Sequence, residues 1–412
     1  MIIAVTYFVV FLILWLKYRK KAKGSVGALL LLFYLVSSFM SLLISTSNSF
    51  EKISELDLYS TSYYVACVVI SLSPFLLLGK YDSRRFVFSK QLMYYVSLFL
   101  IVFGLIELFT SAASLYTNRE AIAVNIVSLR EGFYDTLGDA SNNTFFQKAL
   151  IFVLAFQYMS PFCSMYNLSR GNNSLALWTA LASLCVPVHG MTIGERESIL
   201  VFFSNWAFCY IFFRNELSIA NSKVVKRVGF WTAIPFVLFF FAMSLGRFGS
   251  SSGGTFNSFL SYGGNQPFFF SYLFNTPSIE AQKLGGRFCF QYLFPSNERA
   301  WRQLNEYISA DEYLNQFGGL PGSMFLDFGY LSIFVIIAIA LAYLIIIKRA
   351  KITNGRYPFY LLFLFYFSYQ VLFMNIFYFD FTYLPRILLS VLFFGLTILF
   401  SDRSVNRINK PI

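Results

Sequence analysis

A chain with a single histidine, His189, and no Cys/His spacing has little with which to build a zinc site. Cysteine is equally sparse: Cys67, Cys163, Cys185 and Cys209 fall inside apolar runs and Cys289 stands alone, which excludes a disulfide framework. Charged residues make up only 13% of the chain. There is no glycine-rich phosphate loop, no Ser/His/Asp arrangement and no Asp-x-Asp placed to hold a nucleotide-sugar metal. No internal repeat is found, which counts against transporter folds built from paired halves. A water-soluble catalytic domain of any size is excluded by the same composition.

What fills the chain instead is apolar and aromatic surface, at 57% and 20% of 412 residues, with a mean hydropathy of +0.61. Apolar runs near 20 residues recur along its whole length, each long enough to cross a hydrocarbon core about 30 Å thick as a helix. They predict an all-α, polytopic membrane protein with about eleven spans, near 1–16, 25–44, 62–79, 92–114, 146–167, 175–189, 198–213, 228–246, 325–347, 357–378 and 383–400. The first is not a cleavable signal, because its basic cluster (Lys17, Arg19, Lys20, Lys21, Lys23) follows the apolar run instead of preceding it.

The distribution of Lys and Arg sets the orientation, since cytoplasmic loops retain them. Segments 17–23, 80–91, 214–227 and 348–356, with Arg170 and the C-terminal tail, hold 21 of the 32 basic residues. Only Asp82, Glu216 and Asp402 oppose them. The N-terminus is therefore expected outside and the C-terminus inside. The net charge of +12 is then mainly an inner-face property, and no nucleic-acid partner is needed to explain it.

Three outer segments break the pattern of short connections. The first, 45–61, is Ser-rich and acidic; the second, 115–145, contains Arg119, Glu120, Arg130, Glu131 and Asp135. The third, 247–324, is much longer than a tether requires, and long loops of this kind are commonly lids or binding elements. Within it Asn297–Phe317 reads as one or two amphipathic helices, with Ala300, Trp301, Leu304, Tyr307 and Ile308 at helical spacing, suited to lie on the membrane surface over a cavity. The whole of 1–412 is read as one integral membrane domain.

The most informative short stretch is His189–Ser198, a turn between two short spans that puts Glu195, Arg196 and Glu197 where an unpaired charge costs a few kcal/mol. Arg196 either joins a local ion pair or, through its fork of donors, holds an anion such as a phosphate. Arg247, Arg287, Arg299, Arg302 and Arg386 sit at similar outer depth. Any one of them is explained by interfacial anchoring; their joint presence points to a shared anion. Among the acids, Asp327 opens the ninth expected span and Asp380 closes the tenth. Either could serve as a general base, and Asp327 could equally cap a helix. Glu107 lies within a span and can be paired in the bundle. His189 taken alone reads more readily as a hydrogen-bonded structural residue than as a proton carrier.

Two segments carry a resemblance. Ile193-Gly-Glu-Arg-Glu-Ser-Ile-Leu200 is similar to the Gly-x-Arg-x-x-Leu-like turn of the bacterial oligosaccharide repeat-unit polymerases, the Wzy-type O-antigen and capsule polymerases, with Arg196 at the arginine. Gly318-Gly-Leu-Pro-Gly-Ser-Met-Phe-Leu-Asp-Phe-Gly329 looks like that family's segment closing its large outer loop, with Ser332 where a second glycine is often expected. The resemblance implies a GT-C-like glycosyltransferase architecture in the bacterial inner membrane, active on the periplasmic side. It implies polymerisation of oligosaccharide units carried on undecaprenyl diphosphate for lipopolysaccharide or capsule, with no metal and no other cofactor. The outer arginines would hold the diphosphate, and Glu195, Asp327, Asp380 or His189 would orient or deprotonate the acceptor hydroxyl. Membrane lipids are expected partners, and the reading leaves room for a chain-length regulator protein. A ligase for finished polysaccharide shares topology and chemistry with such a polymerase. A flippase for the same lipid-linked glycan and an acyltransferase using His189 are the alternatives from other classes.

Overall fold

A computed structural model describes residues 1–21, 25–47, 54–77, 82–117, 119, 154, 156–192, 197–248, 260–261, 263–276, 318–350 and 356–377. The described residues are mostly helical, with one isolated bridge between Phe86 and Tyr357 and no strand among them. In chain order the helices are α1 (Ile2–Lys21), α2 (Val26–Thr46), α3 (Leu58–Leu77), α4 (Lys90–Thr117), α5 (Ser160–Ser169), α6 (Asn173–Ser183) and α7 (Cys185–Thr192). They continue with α8 (Glu197–Phe213), α9 (Ile219–Phe248), α10 (Gln266–Asn275), α11 (Gly319–Phe328), α12 (Ser332–Arg349) and α13 (Phe359–Phe377). Among the described residues six stretches are long and apolar enough to cross a membrane: α1, α2, α3, α4, α6 with α7, and α11 with α12. The chain is therefore an all-helical protein with the helices of a membrane protein. The expected spans 1–16, 25–44, 62–79 and 92–114 correspond to α1 to α4, 175–189 to α6 and α7, and 198–213 to α8. Span 383–400 and the first residues of 146–167 lie outside the described residues.

Helix ends follow local rules. Ser25 caps α2 by accepting the Ala28 N–H on its hydroxyl at 3.2 Å, and Asn172 does the same for α6 through Leu175 N at 3.4 Å. Apolar residues cover these helices all round, as lipid on one side and neighbouring helices on the other require.

The chain forms two compact units: residues 1–81, 256–350 and 366–385 make the first, and 82–255, 351–365 and 386–412 the second. In the first, α1, α2 and α3 pack through Tyr7, Phe11, Tyr34 and Tyr64, and the Tyr34 hydroxyl donates to the Leu372 carbonyl at 3.1 Å. Segments expected on one side of the membrane meet at one end of this unit. Ser54 donates to Phe268 O at 2.8 Å, and Tyr63 donates to Tyr330 O at 2.9 Å. At the other end Tyr18 donates to Phe75 O at 3.1 Å. The second unit shows the same consistency. Asn215 donates to Asp82 at 3.0 Å, Arg170 lies 3.5 Å from Glu216, and Val87 N donates to Tyr357 O at 2.9 Å, all between segments read as inner.

Two expectations are refined in the first unit. Within the expected outer loop 247–324, residues 263–273 are almost wholly buried, so this part packs into the unit. Ser37, midway along α2, donates to Gly263 O at 2.6 Å, and Ser41 donates to Gly264 O at 2.7 Å. The backbone comes so close that a Cβ on Gly264 would lie 2.6 Å from Ser41 N. Irregular backbone is tolerated at that depth because protein groups satisfy its carbonyls. From there α10, with Pro267 in its first turn, climbs back to Asn275. The amphipathic stretch Asn297–Phe317 lies outside the described residues.

The second refinement concerns the expected span 325–347. Gly319–Arg349 has the length of one 31-residue helix, but it breaks at Gly329, whose φ of 55° suits glycine. A straight helix would hold Leu320 and Ile336 about 24 Å apart, yet both pack with Met324 around Cys67 of α3. α11 and α12 therefore form a hairpin, and α12 alone descends beside α3. Asp327 does not open a span or cap one. It lies fully buried in the last turn of α11, while the residue before α12 is Leu331.

Candidate functional site

A charged side chain inside a span must find a partner or be neutralised, because hydrocarbon offers it none. The second unit holds such a pair. Glu107, in the C-terminal half of α4, is 2% exposed, and His189, in the last turn of α7, is 28% exposed. His189 Nδ1 lies 2.9 Å from Glu107 Oε1. With Glu107 as the carboxylate and His189 as the neutral ring, Nδ1–H would donate and Nε2 would be the nitrogen without a proton. Ser111, one turn beyond Glu107, donates to the same Oε1 at 3.0 Å. Oε2 is buried and has no hydrogen-bond partner among the described residues.

The local sequence explains how the two side chains meet. The chain bends between α6 and α7 at Leu184, whose N–H closes onto Leu181 O at 3.1 Å, and α7 turns in against α4. Gly104, one turn before Glu107, permits the close approach: a Cβ there would lie 2.7 Å from both amide atoms of Gln157 and 2.8 Å from Ala182 Cβ. Gln157 in turn donates to Leu100 O of α4 at 3.0 Å and accepts from Ser160 at 2.6 Å. Leu154, Cys185 and Val186 form an apolar wall beside the pair, with Leu108 and Tyr158 packed on it.

This arrangement matches a carboxylate–imidazole relay. The acid fixes the tautomer and steadies the imidazolium that forms when Nε2 takes a proton from a neighbouring hydroxyl. It also carries a cost, since a buried carboxylate oxygen without a donor loses its hydration for nothing.

Of the site residues read from the sequence, His189, Arg247 and Asp327 are described, the first two in the second unit and Asp327 in the first. Glu195, Arg196, Arg287, Arg299, Arg302, Asp380 and Arg386 lie outside the described residues. Arg247 lies in α9. His189 is seven residues before Arg196, so the chain itself keeps the imidazole near the Ile193–Leu200 turn. Sequence reasoning left Glu107 as a bundle pair of unstated partner and rated His189 weakly. The signal that could have joined them is scarcity: the only histidine and an acid inside a span each need a polar partner.

The first unit has a second carboxylate cluster with the opposite character. Asp57 precedes α3 and accepts the Ser60 N–H on Oδ1 at 2.8 Å. Its Oδ2 accepts the Ser60 hydroxyl, the Ser271 hydroxyl at 3.0 Å and the Asn275 amide at 2.7 Å. Burial alone would raise its pKa, but the donors from Ser60, Asn275 and Ser271 outweigh it and hold the carboxyl at about 2. Through these four hydrogen bonds, three of them on Oδ2, Asp57 fastens α10 to the start of α3.

No protein-family model, curated protein or solved structure matches the chain.

Proposed function

We propose that the chain is a membrane glycosyltransferase that polymerises undecaprenyl-diphosphate-linked oligosaccharide repeat units on the periplasmic face of a bacterial inner membrane, and that His189 is its general base. The observation that carries the reading is the Glu107–His189 pair, a relay at the outer part of a span with Nε2 unclaimed among the described residues. The segment Ile193–Leu200, which resembles the arginine turn of the repeat-unit polymerases, begins four residues after His189.

In this mechanism the acceptor sugar hydroxyl attacks the anomeric carbon of the growing chain. Its proton passes to His189 Nε2, and Glu107 stabilises the imidazolium. The bond from the anomeric carbon to the diphosphate breaks, and the lipid diphosphate leaves with the electron pair. Arg196, with other outer arginines, meets the charge that develops on it. His189 then returns its proton to solvent.

A flippase for the same lipid-linked glycan is the second reading, because an intramembrane Glu/His pair is also how proton-coupled transporters carry protons. Deletion of the gene in its native host, restored with wild type, His189→Ala or Arg196→Ala, separates the two. Polymerisation predicts a surface ladder that collapses to single repeats on deletion and in both variants and returns only with wild type. Loss of single repeats as well indicates the flippase, and a ladder unchanged by deletion overturns both.

A further inference from the structure

Helix α9 stands apart from the other long helices of its unit. It has 30 residues, a length of about 45 Å, against about 30 Å of hydrocarbon. About ten residues therefore project into the headgroup region, and the end that projects is Ile219–Val228, where Lys223, Lys226 and Arg227 cluster. Its contacts lie along one side: Phe236 against Phe202 and Phe203, the Ser222 hydroxyl 3.0 Å from that of Tyr210, and Lys226 over the Tyr210 ring at 5.8 Å.

The other side is open. Lys223 and Arg227 are exposed, and among the described residues neither pairs with a carboxylate. Below them, at steps of three and four residues, come Phe230 and Trp231 (each 65% exposed), Ile234 and Leu238 (64%). One helical stripe thus begins with two cations, passes an indole at the polar boundary and continues as an apolar strip. Gly229 beside it has open space where a Cβ would stand.

We infer that this stripe of α9 is a selective docking surface for an anionic glycerophospholipid, with the headgroup phosphate between Lys223 and Arg227 and an acyl chain along Trp231, Ile234 and Leu238. The positive-inside tendency explains cations on this side of the membrane. It does not require two of them to be unpaired on the same face as an exposed tryptophan and an apolar strip. Each basic residue near a headgroup strengthens the attraction by about 1 kcal/mol, or about fivefold.

The test uses the full-length protein in phosphatidylcholine vesicles doped with phosphatidylglycerol or phosphatidylcholine carrying brominated acyl chains. Tryptophan quenching is read against Trp231→Phe to isolate Trp231. Phosphatidylglycerol should quench Trp231 at a lower mole fraction than phosphatidylcholine by tenfold or more, and Lys223→Gln/Arg227→Gln should abolish the preference without changing helix content by circular dichroism. Equal quenching by the two lipids in wild type, or a preference that survives the double substitution, overturns the proposal. So does failure of either lipid to quench Trp231, which would mean that protein, such as a second copy, covers the stripe.

Discussion

Two carboxylates, one in each compact unit, are held by hydrogen bonds, and they are held differently. Asp57 has four donors on its two oxygens, contributed by Ser60, Ser271 and Asn275. Glu107 has two hydrogen-bond partners on one oxygen, His189 and Ser111, and among the described residues none on the other. The less exposed of the two is thus the one left short. Structural polar groups are completed because each missing hydrogen bond costs stability, whereas an incomplete group persists where something other than stability maintains it. On this comparison Asp57 is a fastening, whereas the proposed relay gives Glu107 a role beyond packing.

The largest effect should come from the partner of the incomplete acid. His189→Ala removes the base and should lower polymer formation by about 10²- to 10⁴-fold, the usual worth of general-base catalysis, with protein level in the membrane unchanged. Gel resolution of surface polysaccharide, with immunoblotting of the protein, reads both. Wild-type ladders from this variant would remove His189 from the chemistry. Glu107→Gln should follow at about 10²-fold, because the amide oxygen can keep both donors while the charge that steadies the imidazolium is lost. Its thermal midpoint should move little, since the amide nitrogen merely replaces an oxygen that was already without a partner. A large fall in midpoint with activity retained would place Glu107 in the same structural class as Asp57.

Much of the scaffold around these residues was legible from elementary rules. Apolar run length located α1 to α4 to within a few residues, and the Lys and Arg asymmetry grouped segments that do meet at common ends of each unit. The re-entrant pieces were harder. Gln266–Asn275 is a ten-residue apolar run, too short to span and of the length expected for a re-entrant helix, but Gly-Ser-rich flanks made the region read as a flexible outer loop. Gly319–Arg349 passes a length test for a span, and only the φ of Gly329 reveals the hairpin. The Glu107–His189 contact joins residues 82 positions apart through a bend at Leu184 and a close approach at Gly104, neither of which has a strong local signature. Distant pairing of this kind is set by helix packing, which periodicity does not encode.

Gly104 offers a way to sharpen the comparison without touching either acid. An alanine there meets the Gln157 amide and Ala182 and should cost about 2–3 kcal/mol through overpacking. The forced separation of α4 from its neighbours should also loosen the Glu107–His189 contact. Adding Gln157→Ala should recover part of the stability by making room. If polymer length recovers with it, the helix approach positions the relay; if stability recovers alone, Gly104 serves packing only.

The smallest effect is expected at the completed acid. In Asp57→Asn the amide nitrogen must face at least one donor from Ser60, Ser271 or Asn275, at a cost of about 1–2 kcal/mol, with polymer formation preserved. Acid unfolding gives a second readout whose sign is fixed. The Asp57 carboxyl is held at about 2, below its ordinary 3.8, so the folded protein binds this proton more weakly than the unfolded chain. Its contribution is complete above about pH 4 and is lost as pH falls through about 2. Asp57→Asn should therefore flatten the loss of stability between those values, measured by thermal unfolding in detergent across a pH series. An unchanged acid profile would show that the four donors do not fasten α10 to α3 through this carboxylate, and the contrast with Glu107 would then rest on burial alone.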